Sequence, residues 1–205
     1  AWCFPDIRGP QKRALNRAVV YSTGLAVFDT LVAWFWTSAQ IKRHIPHRIV
    51  GLTELLDVQK SGDRGVLLLA KHAQHLELDA RLVGMHMRAC GVARESQSAF
   101  VSAMMASGRG QCFEMSMRTN PRQFITWLKD KRTVIYYPDQ DYGKNRSIET
   151  TWFGVPAQFT TAPYTLQKLT GCWVYFMNSY YEGAELVIEI ERLNLPSESA
   201  HAFTV

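Results

Sequence analysis

The sequence predicts an α/β fold in a single domain, with a mixed central sheet flanked by helices. Two short apolar runs support this prediction. Val66–Ala70 is continuously apolar between polar neighbours, and residues 133–137 are rich in β-branched and aromatic side chains and are closed by Pro138. Runs of this length and composition are typical of buried strands. Helical patterns separate them, and this alternation favours a sheet packed between layers of helices.

The other elements are predicted from helical spacing and from alternation. Helices are expected over residues 76–90, 99–105, 120–129 and 161–169. Asn120 and Pro121 suit the start of the third of these helices, and Gly171 suits the end of the fourth. Residues 173–180 and 185–192 show the alternating pattern of β-strands. They lie on either side of Glu182-Gly183, so they predict a hairpin. No repeat or linker interrupts the pattern, so residues 1–205 are expected to form one domain.

Composition and charge exclude some classes of protein. Of the 205 residues, 47% are apolar and 20% are charged, which are the values of a folded globular protein. The four cysteines are scattered without C-x-x-C spacing, which excludes a knuckle-type metal site and favours a reducing compartment. The net charge of +5 suits acidic partners such as phosphorylated lipids, anionic membranes, acidic carrier proteins or nucleic acid, and does not choose among them.

Residues 21–36 form a candidate interfacial helix. The segment is rich in aromatic residues, and its apolar side chains recur at helical spacing: Leu25, Phe28, Val32 and Phe35. A helix of the protein core explains the same pattern. Trp34 and Trp36 suit a helix that lies at a membrane interface. No apolar stretch reaches the roughly 18 to 20 residues that a bilayer span requires.

The first strand runs into KHAQHLELDA, residues 71–80, where histidines and acids are concentrated. His75 and Asp79 are four residues apart, so on a helix they would form an ordinary surface pair. His72 and Glu77 can meet if His72 lies in the turn after the strand and Glu77 lies on the first helical turn. Glu77 would then fix the imidazole tautomer and stabilise the imidazolium that forms when His72 accepts a proton.

The same residues leave other functions open. His72, His75 and Glu77 could bind a divalent metal ion and make the chain a metal-dependent hydrolase, although their spacing is not the H-E-x-x-H of zinc peptidases. In a third interpretation the chain is a non-catalytic, membrane-associated interaction module, and His72 and Glu77 are only packed polar residues. The sequence contains no G-x-S-x-G, which indicates that a base-catalysed reaction would use a nucleophile from the substrate.

Motifs along most of the chain resemble those of a known family. The two most specific are the aromatic run AWFW at residues 33–36 and the block PDQDYG at residues 138–143. Shorter matches accompany them in the same order: Cys3-Phe4-Pro5, His72 with Glu77, Gly108-Arg109 and Phe153-Gly154-Val155. The chain resembles the bacterial late lipid A acyltransferases, the lauroyl and myristoyl transferases, which are distantly similar to glycerolipid acyltransferases.

The resemblance implies a reaction and the residues that perform it. An acyl chain on acyl carrier protein is transferred to the hydroxyl of a hydroxyacyl chain on a lipid A precursor, without a cofactor or metal ion. His72 is implied as the general base and Glu77 as its partner. Arg109 is implied as a cation that binds substrate. A supporting role falls to three further residues, Asp139, Asp141 and His75.

The resemblance also implies a location, the cytoplasmic face of the bacterial inner membrane. The expected partners are acyl carrier protein, the lipid A precursor and the membrane, with no nucleic acid. The same base could activate water when no acceptor is bound, so a thioesterase side activity is expected. Residues 1–205 are expected to be a fragment that lacks an N-terminal membrane anchor and a C-terminal tail. The acyl chain length is not readable, because one methylene changes binding by only about 1 to 3 kcal/mol.

Overall fold

A mixed β-sheet forms the centre of the structure, a computed structural model that describes residues 3–93, 98–117, 119–140, 143–144 and 147–194. These residues contain nine strands: β1 His47–Val50, β2 Val66–Ala70, β3 Ala89–Ala93, β4 Phe113–Met117, β5 Thr133–Tyr136, β6 Ser147–Trp152, β7 Val155–Thr160, β8 Trp173–Glu182 and β9 Glu185–Arg192. The same residues contain seven helices: α1 Gly9–Phe35, α2 Ser38–His44, α3 Leu52–Ser61, α4 Leu76–Gly84, α5 Ala99–Arg109, α6 Pro121–Lys129 and α7 Ala162–Thr170.

Seven of the strands form one sheet in the order β1-β9-β8-β2-β5-β3-β4. Neighbouring strands are parallel except β8 and β9, which form an antiparallel hairpin. Strands β6 and β7 form a separate antiparallel hairpin. The predicted α/β class, with a mixed central sheet flanked by helices, is therefore confirmed.

Strand β2 lies at the centre of the core, and its alternate side chains enter two apolar layers. Val66, Leu68 and Ala70 pack with α1 to α4 on one face of the sheet. Leu67 and Leu69 pack with α6 and α7 on the other face. All five residues are buried, which explains why the strand is continuously apolar in sequence.

Most predicted elements are confirmed, and the differences have local causes. The strand Val66–Ala70 and the hairpin of β8 and β9 are present, and Gly171 is the left-handed C-cap of α7. The helix predicted over residues 76–90 ends at Gly84, because residues 89–93 pair with β4 and β5. Apolar periodicity alone does not separate the end of a helix from a short buried strand that follows it.

Helix α1 is longer than the predicted segment 21–36. Its 27 residues include an 18-residue window with a mean hydropathy of 1.5, so by length and composition it could cross a membrane. The prediction that no stretch reaches this length was therefore wrong, because it counted only uninterrupted apolar residues. Asp29 interrupts the run as a charged residue, but it is buried. Thr23 and Thr30 also interrupt it, and their hydroxyls donate to carbonyl oxygens one turn earlier, at 2.9 and 2.8 Å.

The predicted apolar face of α1 is divided between the core and the surface. Val32 and Ala33 are buried on the side that packs against α4 and α5. Phe28 and Phe35, which share the predicted face with Val32, are exposed. The outer side of the helix thus presents several large apolar side chains to solvent: Val19, Val20, Tyr21, Val27, Phe28, Leu31 and Phe35.

Gly65→Ala is expected to destabilise the fold. A Cβ at Gly65 would lie 2.2 Å from the carbonyl oxygen of Leu128, so the start of β2 and the end of α6 would have to move apart. Crowding of this kind in a packed core typically costs about 1 to 3 kcal/mol. The measurement is the free energy of unfolding in urea. Gly24→Ala is the control, because a Cβ at Gly24 in α1 would meet no atom within 4 Å. Equal stability of the two variants would contradict the prediction.

Candidate active site

A cavity of about 230 Å³ opens at the carboxyl ends of the parallel strands β2, β5 and β3. Ligand sites of open α/β sheets form at this edge. The charged and polar residues that line the cavity include His72, Glu77, Arg109 and Gln140. The rest of the lining is mainly apolar and includes Leu76, Val92, Met105, Phe113, Met115 and Ile135. The cavity therefore combines titratable groups with space for an apolar chain.

His72 and Asp139 lie in loops that follow adjacent parallel strands. The register pairs Leu69 of β2 with Tyr136 of β5, and each site residue comes three positions later. His72 Nδ1 lies 2.6 Å from Asp139 Oδ1, and the His72 backbone N–H donates to Asp139 Oδ2 at 2.7 Å. The sheet register thus joins two residues that are 67 positions apart in sequence.

Asp139 is held in its ionised form. Partial burial alone would raise its pKa, but the side-chain and backbone hydrogen bonds from His72 outweigh burial and lower the pKa below its ordinary value. A carboxylate only accepts hydrogen bonds, so His72 Nδ1 carries the hydrogen that it donates. In the neutral tautomer with the hydrogen on Nδ1, the other ring nitrogen, Nε2, holds a lone pair, as a general base requires.

The predicted pairing of His72 with Glu77 was wrong. Arg109 donates to Glu77, from Nε to Oε2 at 3.0 Å and from Nη2 to Oε1. Trp34 Nε1 donates to the same Oε2 at 2.9 Å. Glu77 lies on the first turn of α4 as expected, but its side chain is directed to the ends of α5 and α1. The carboxylate that reaches His72 is that of Asp139, from the loop after the neighbouring strand β5.

Glu77 and Arg109 form an enclosed ion pair at the cavity. Their side chains are only 11% and 19% exposed. Burial alone would lower the pKa of Arg109, but the hydrogen bonds and the negative charge of Glu77 raise it. The guanidinium therefore stays charged. Breaking a buried ion pair by removing one partner typically costs about 3 to 5 kcal/mol, because the other charge is left without compensation.

Gly108 makes room for this arrangement. A Cβ at this position would lie 2.4 Å from Cγ of Trp34, so α5 can approach α1 only because residue 108 is glycine. Arg109, the next residue, then reaches Glu77. Gln111 Nε2 donates to the Trp34 carbonyl oxygen at 2.8 Å and strengthens the same contact. We refer to the meeting point of these three helices as the Trp34–Glu77–Arg109 joint.

His75 and Asp79 are buried, so the prediction of a surface pair was wrong. Their exposed fractions are 6% and 2%. His75 Nδ1 lies 2.9 Å from Asp79 Oδ2, and the Ser179 hydroxyl donates to the same oxygen at 2.6 Å. The first turn of α4 faces β8 and not solvent. This network anchors the turn that carries His72 to the central sheet.

Two aromatic residues of the site were missed from sequence. Trp34 was interpreted as part of an aromatic run and as an interfacial residue, and nothing in the sequence indicated its contact with Glu77. The Tyr137 ring lies 5.1 Å from the His72 ring, measured between centroids. Burial raises the pKa of Tyr137, so the phenol stays neutral beside His72. Asp141, the remaining predicted residue, lies outside the described residues.

The three side chains of the alternative metal site do not converge on one point. His72, His75 and Glu77 are each hydrogen-bonded to a different residue on a different element. Within the described ranges, no group of three or more His, Cys, Asp or Glu side chains is arranged to hold a metal ion. The proposed ligand set is therefore not supported by the positions of its members.

A histidine–aspartate pair beside an apolar cavity at the edge of an α/β sheet is a site suited to base-catalysed chemistry on an apolar substrate. The sequence profile of a family described as bacterial lipid A biosynthesis acyltransferase matches residues 1–191. The chain belongs to this family.

Three curated relatives show the extent of the similarity. A lipid A biosynthesis acyltransferase of Haemophilus influenzae is 32% identical over 78% of the chain and 50% of its own length. A lipid A biosynthesis lauroyltransferase of Escherichia coli is 32% identical over 85% of the chain and 57% of its own length. A lipid A biosynthesis palmitoleoyltransferase of Escherichia coli is 27% identical over 98% of the chain and 66% of its own length. The chain thus spans about half to two thirds of the length of these relatives.

Trp34→Phe is expected to lower the free energy of unfolding by about 1 to 3 kcal/mol, because it keeps an aromatic ring and removes the N–H that binds the Glu77 carboxylate. Urea denaturation measures this difference. Trp36→Phe is the matched control, since its ring contacts His44 and its indole N–H donates to no residue in the described part of the chain. The prediction fails if both variants lose the same stability.

Asp139→Asn is expected to change the pH dependence of stability. The folded-state pKa of Asp139 lies below its unfolded value, so folding favours the ionised form. The resulting stabilisation is fully present above the unfolded pKa, about 3.9, and is lost as the pH falls through the lower folded-state pKa. Unfolding free energies of both chains across acidic pH measure the effect. The difference in unfolding free energy between the unchanged chain and Asp139→Asn should shrink as the pH falls. A difference that stays constant across acidic pH would contradict the lowered pKa of Asp139.

Proposed function

We propose that the chain transfers a fatty acyl group from acyl carrier protein to the hydroxyl of a hydroxyacyl chain on a lipid A precursor. The observation that carries this proposal is that His72, hydrogen-bonded to Asp139, lines a cavity with mainly apolar walls. Membership of the family and the names of the relatives support the class of reaction. The names of two relatives specify lauroyl and palmitoleoyl groups for those proteins, and the acyl group of this chain is left unspecified.

In the proposed reaction His72 is the general base. Its Nε2 takes the proton of the substrate hydroxyl while the hydroxyl oxygen attacks the thioester carbonyl carbon, and Asp139 stabilises the imidazolium. The tetrahedral intermediate then collapses and the carbon–sulfur bond breaks. The departing thiolate takes the proton from His72. The products are an ester and the free thiol of the carrier, so the balance requires no further reactant.

Arg109 is proposed to stabilise negative charge during this reaction. It lines the cavity, and its guanidinium is kept charged by Glu77. Nε and Nη2 donate to Glu77, which leaves Nη1 without a partner among the described residues. Charged donors of this kind bind phosphate groups and stabilise developing oxyanions. Glu77 is accordingly proposed as a positioning residue that fixes the orientation of Arg109.

The proposed partners are acidic or lipidic. The net charge of +5 suits both an acidic carrier protein and the phosphates of a lipid A precursor. The outer side of α1 is proposed to contact the cytoplasmic face of the bacterial inner membrane, because it presents large apolar side chains to solvent. An acceptor lipid in that membrane would then lie close to the helix that contributes Trp34 to the site.

His72→Ala is expected to lower acyl transfer by about 10²- to 10⁴-fold, because it removes the base and leaves the cavity walls in place. The full chain is incubated in mixed micelles with acyl carrier protein loaded with a fatty acid and with a lipid A precursor. Mass spectrometry of the lipid measures the added acyl group. Asp139→Asn and Glu77→Gln are measured alongside, the first to test support of the imidazolium and the second to test positioning of Arg109.

His86→Ala is the matched control, since His86 is exposed and lies outside the cavity. Transfer by His72→Ala at the rate of the unchanged chain would remove the catalytic assignment. No transfer by the folded, unchanged chain would favour the interaction-module interpretation. Without the lipid acceptor, slow release of free fatty acid that His72→Ala abolishes is the expected thioesterase side reaction.

A further inference from the structure

The tip of the β6–β7 hairpin carries two exposed aromatic side chains. Trp152 is 51% exposed and Phe153 is 59% exposed, and their ring centroids are 5.3 Å apart. Phe4 is also exposed, and its ring lies 5.4 Å from the Phe153 ring. None of the three belongs to either core cluster of the described residues. We call Phe4, Trp152 and Phe153 the aromatic tip.

Phe153 occupies a backbone conformation that bulky residues rarely adopt. Trp152 pairs with Val155, so Phe153 and Gly154 form a two-residue turn, with φ angles of 49° and 75°. Two-residue hairpin turns with two positive φ angles favour asparagine or glycine. A bulky residue in this region strains the backbone, and such strain is characteristic of functional positions. The exposed ring does not stabilise the core in return, which indicates a role outside the fold.

Basic side chains lie beside the aromatic tip. Arg8 and Lys12 line a small crevice together with Phe4, and Arg13 and Arg17 follow on α1. All four basic residues are exposed, and none forms an ion pair within the described ranges. Cations at the depth of lipid headgroups, beside aromatic rings at the interface, are the pattern of segments that bind anionic membranes.

The aromatic tip adjoins the N-terminal end of α1, whose exposed large apolar residues begin at Leu15. Phe4 precedes the first residue of α1 by five positions and contacts Phe153. The other end of α1 contributes Trp34 to the Trp34–Glu77–Arg109 joint at the cavity. A bilayer that binds both segments would therefore hold the cavity close to the membrane surface.

We propose that the aromatic tip inserts into the interface of an anionic lipid bilayer and forms a second membrane contact beside α1. The contact at the tip fixes the rotation of the domain about α1, which a single helix would leave free. The inference rests on the membrane contact proposed for α1 and is independent of the proposed reaction. Binding to vesicles without any substrate therefore tests it separately.

Phe153→Asn separates membrane binding from folding. Asparagine suits a positive φ, so the variant is expected to melt at the same temperature as the unchanged chain or higher. Its partition coefficient onto vesicles of phosphatidylglycerol and phosphatidylcholine is expected to fall about tenfold, because an aromatic side chain leaves the interface. Co-sedimentation of the full chain with the vesicles measures this. Trp152→Ser is a second variant with the same expected direction.

Leu169→Asn is the matched control, because Leu169 is a 54% exposed apolar residue on α7. Its binding is expected to stay within about twofold of the unchanged chain, since it lies outside the proposed contact. Unchanged vesicle binding by Phe153→Asn would overturn the proposal, and so would an equal loss with Leu169→Asn. Loss of a dimer in light scattering, with vesicle binding unaffected, would assign the aromatic tip to a second copy of the chain and would also overturn it.

Discussion

The parallel pairing of β2 with β5 is the constraint on which the candidate active site depends. Both strands are buried along their whole length, so their register is fixed by side chains packed on both faces. A slip of one residue would turn every side chain of the strand to the opposite face, and would displace the loop after it by about 3.3 Å. Asp139 would then lose both hydrogen bonds to His72. The geometry of the proposed base is therefore a direct consequence of core packing.

The Trp34–Glu77–Arg109 joint applies a second constraint, from the helices. A buried carboxylate must be compensated, and Glu77 is compensated by donors from α1 and α5. The position of Arg109 at the cavity is consequently coupled to the packing of α1. The His72–Asp139 pair is positioned by strands β2 and β5, whereas Arg109 is positioned by helices α1, α4 and α5. The two halves of the proposed chemistry are thus held by different parts of the fold.

The sequence allowed the local features to be predicted and left the contacts between distant segments undetermined. The strand Val66–Ala70 was recognised because its apolar run is continuous. The partner of His72 was not, because it follows from a register between strands 67 residues apart. The β6–β7 hairpin was missed since Phe153-Gly154 is not a typical turn sequence. Strand β3 was missed and its first two residues were assigned to the predicted helix 76–90, because they follow α4 after only a short turn.

The attachment of α1 has a consequence for engineering. A long apolar helix at one end of a domain is an obvious segment to delete when a water-soluble enzyme is wanted. Here deletion would remove Val32 and Ala33 from the core, expose the residues they pack against, and take the indole donor away from Glu77. Polar replacements at Val20, Phe28 and other outward positions would make the helix less apolar and leave its inner side intact. Solubility can therefore be changed by substituting the exposed residues of the helix, whereas deleting the helix would damage the site.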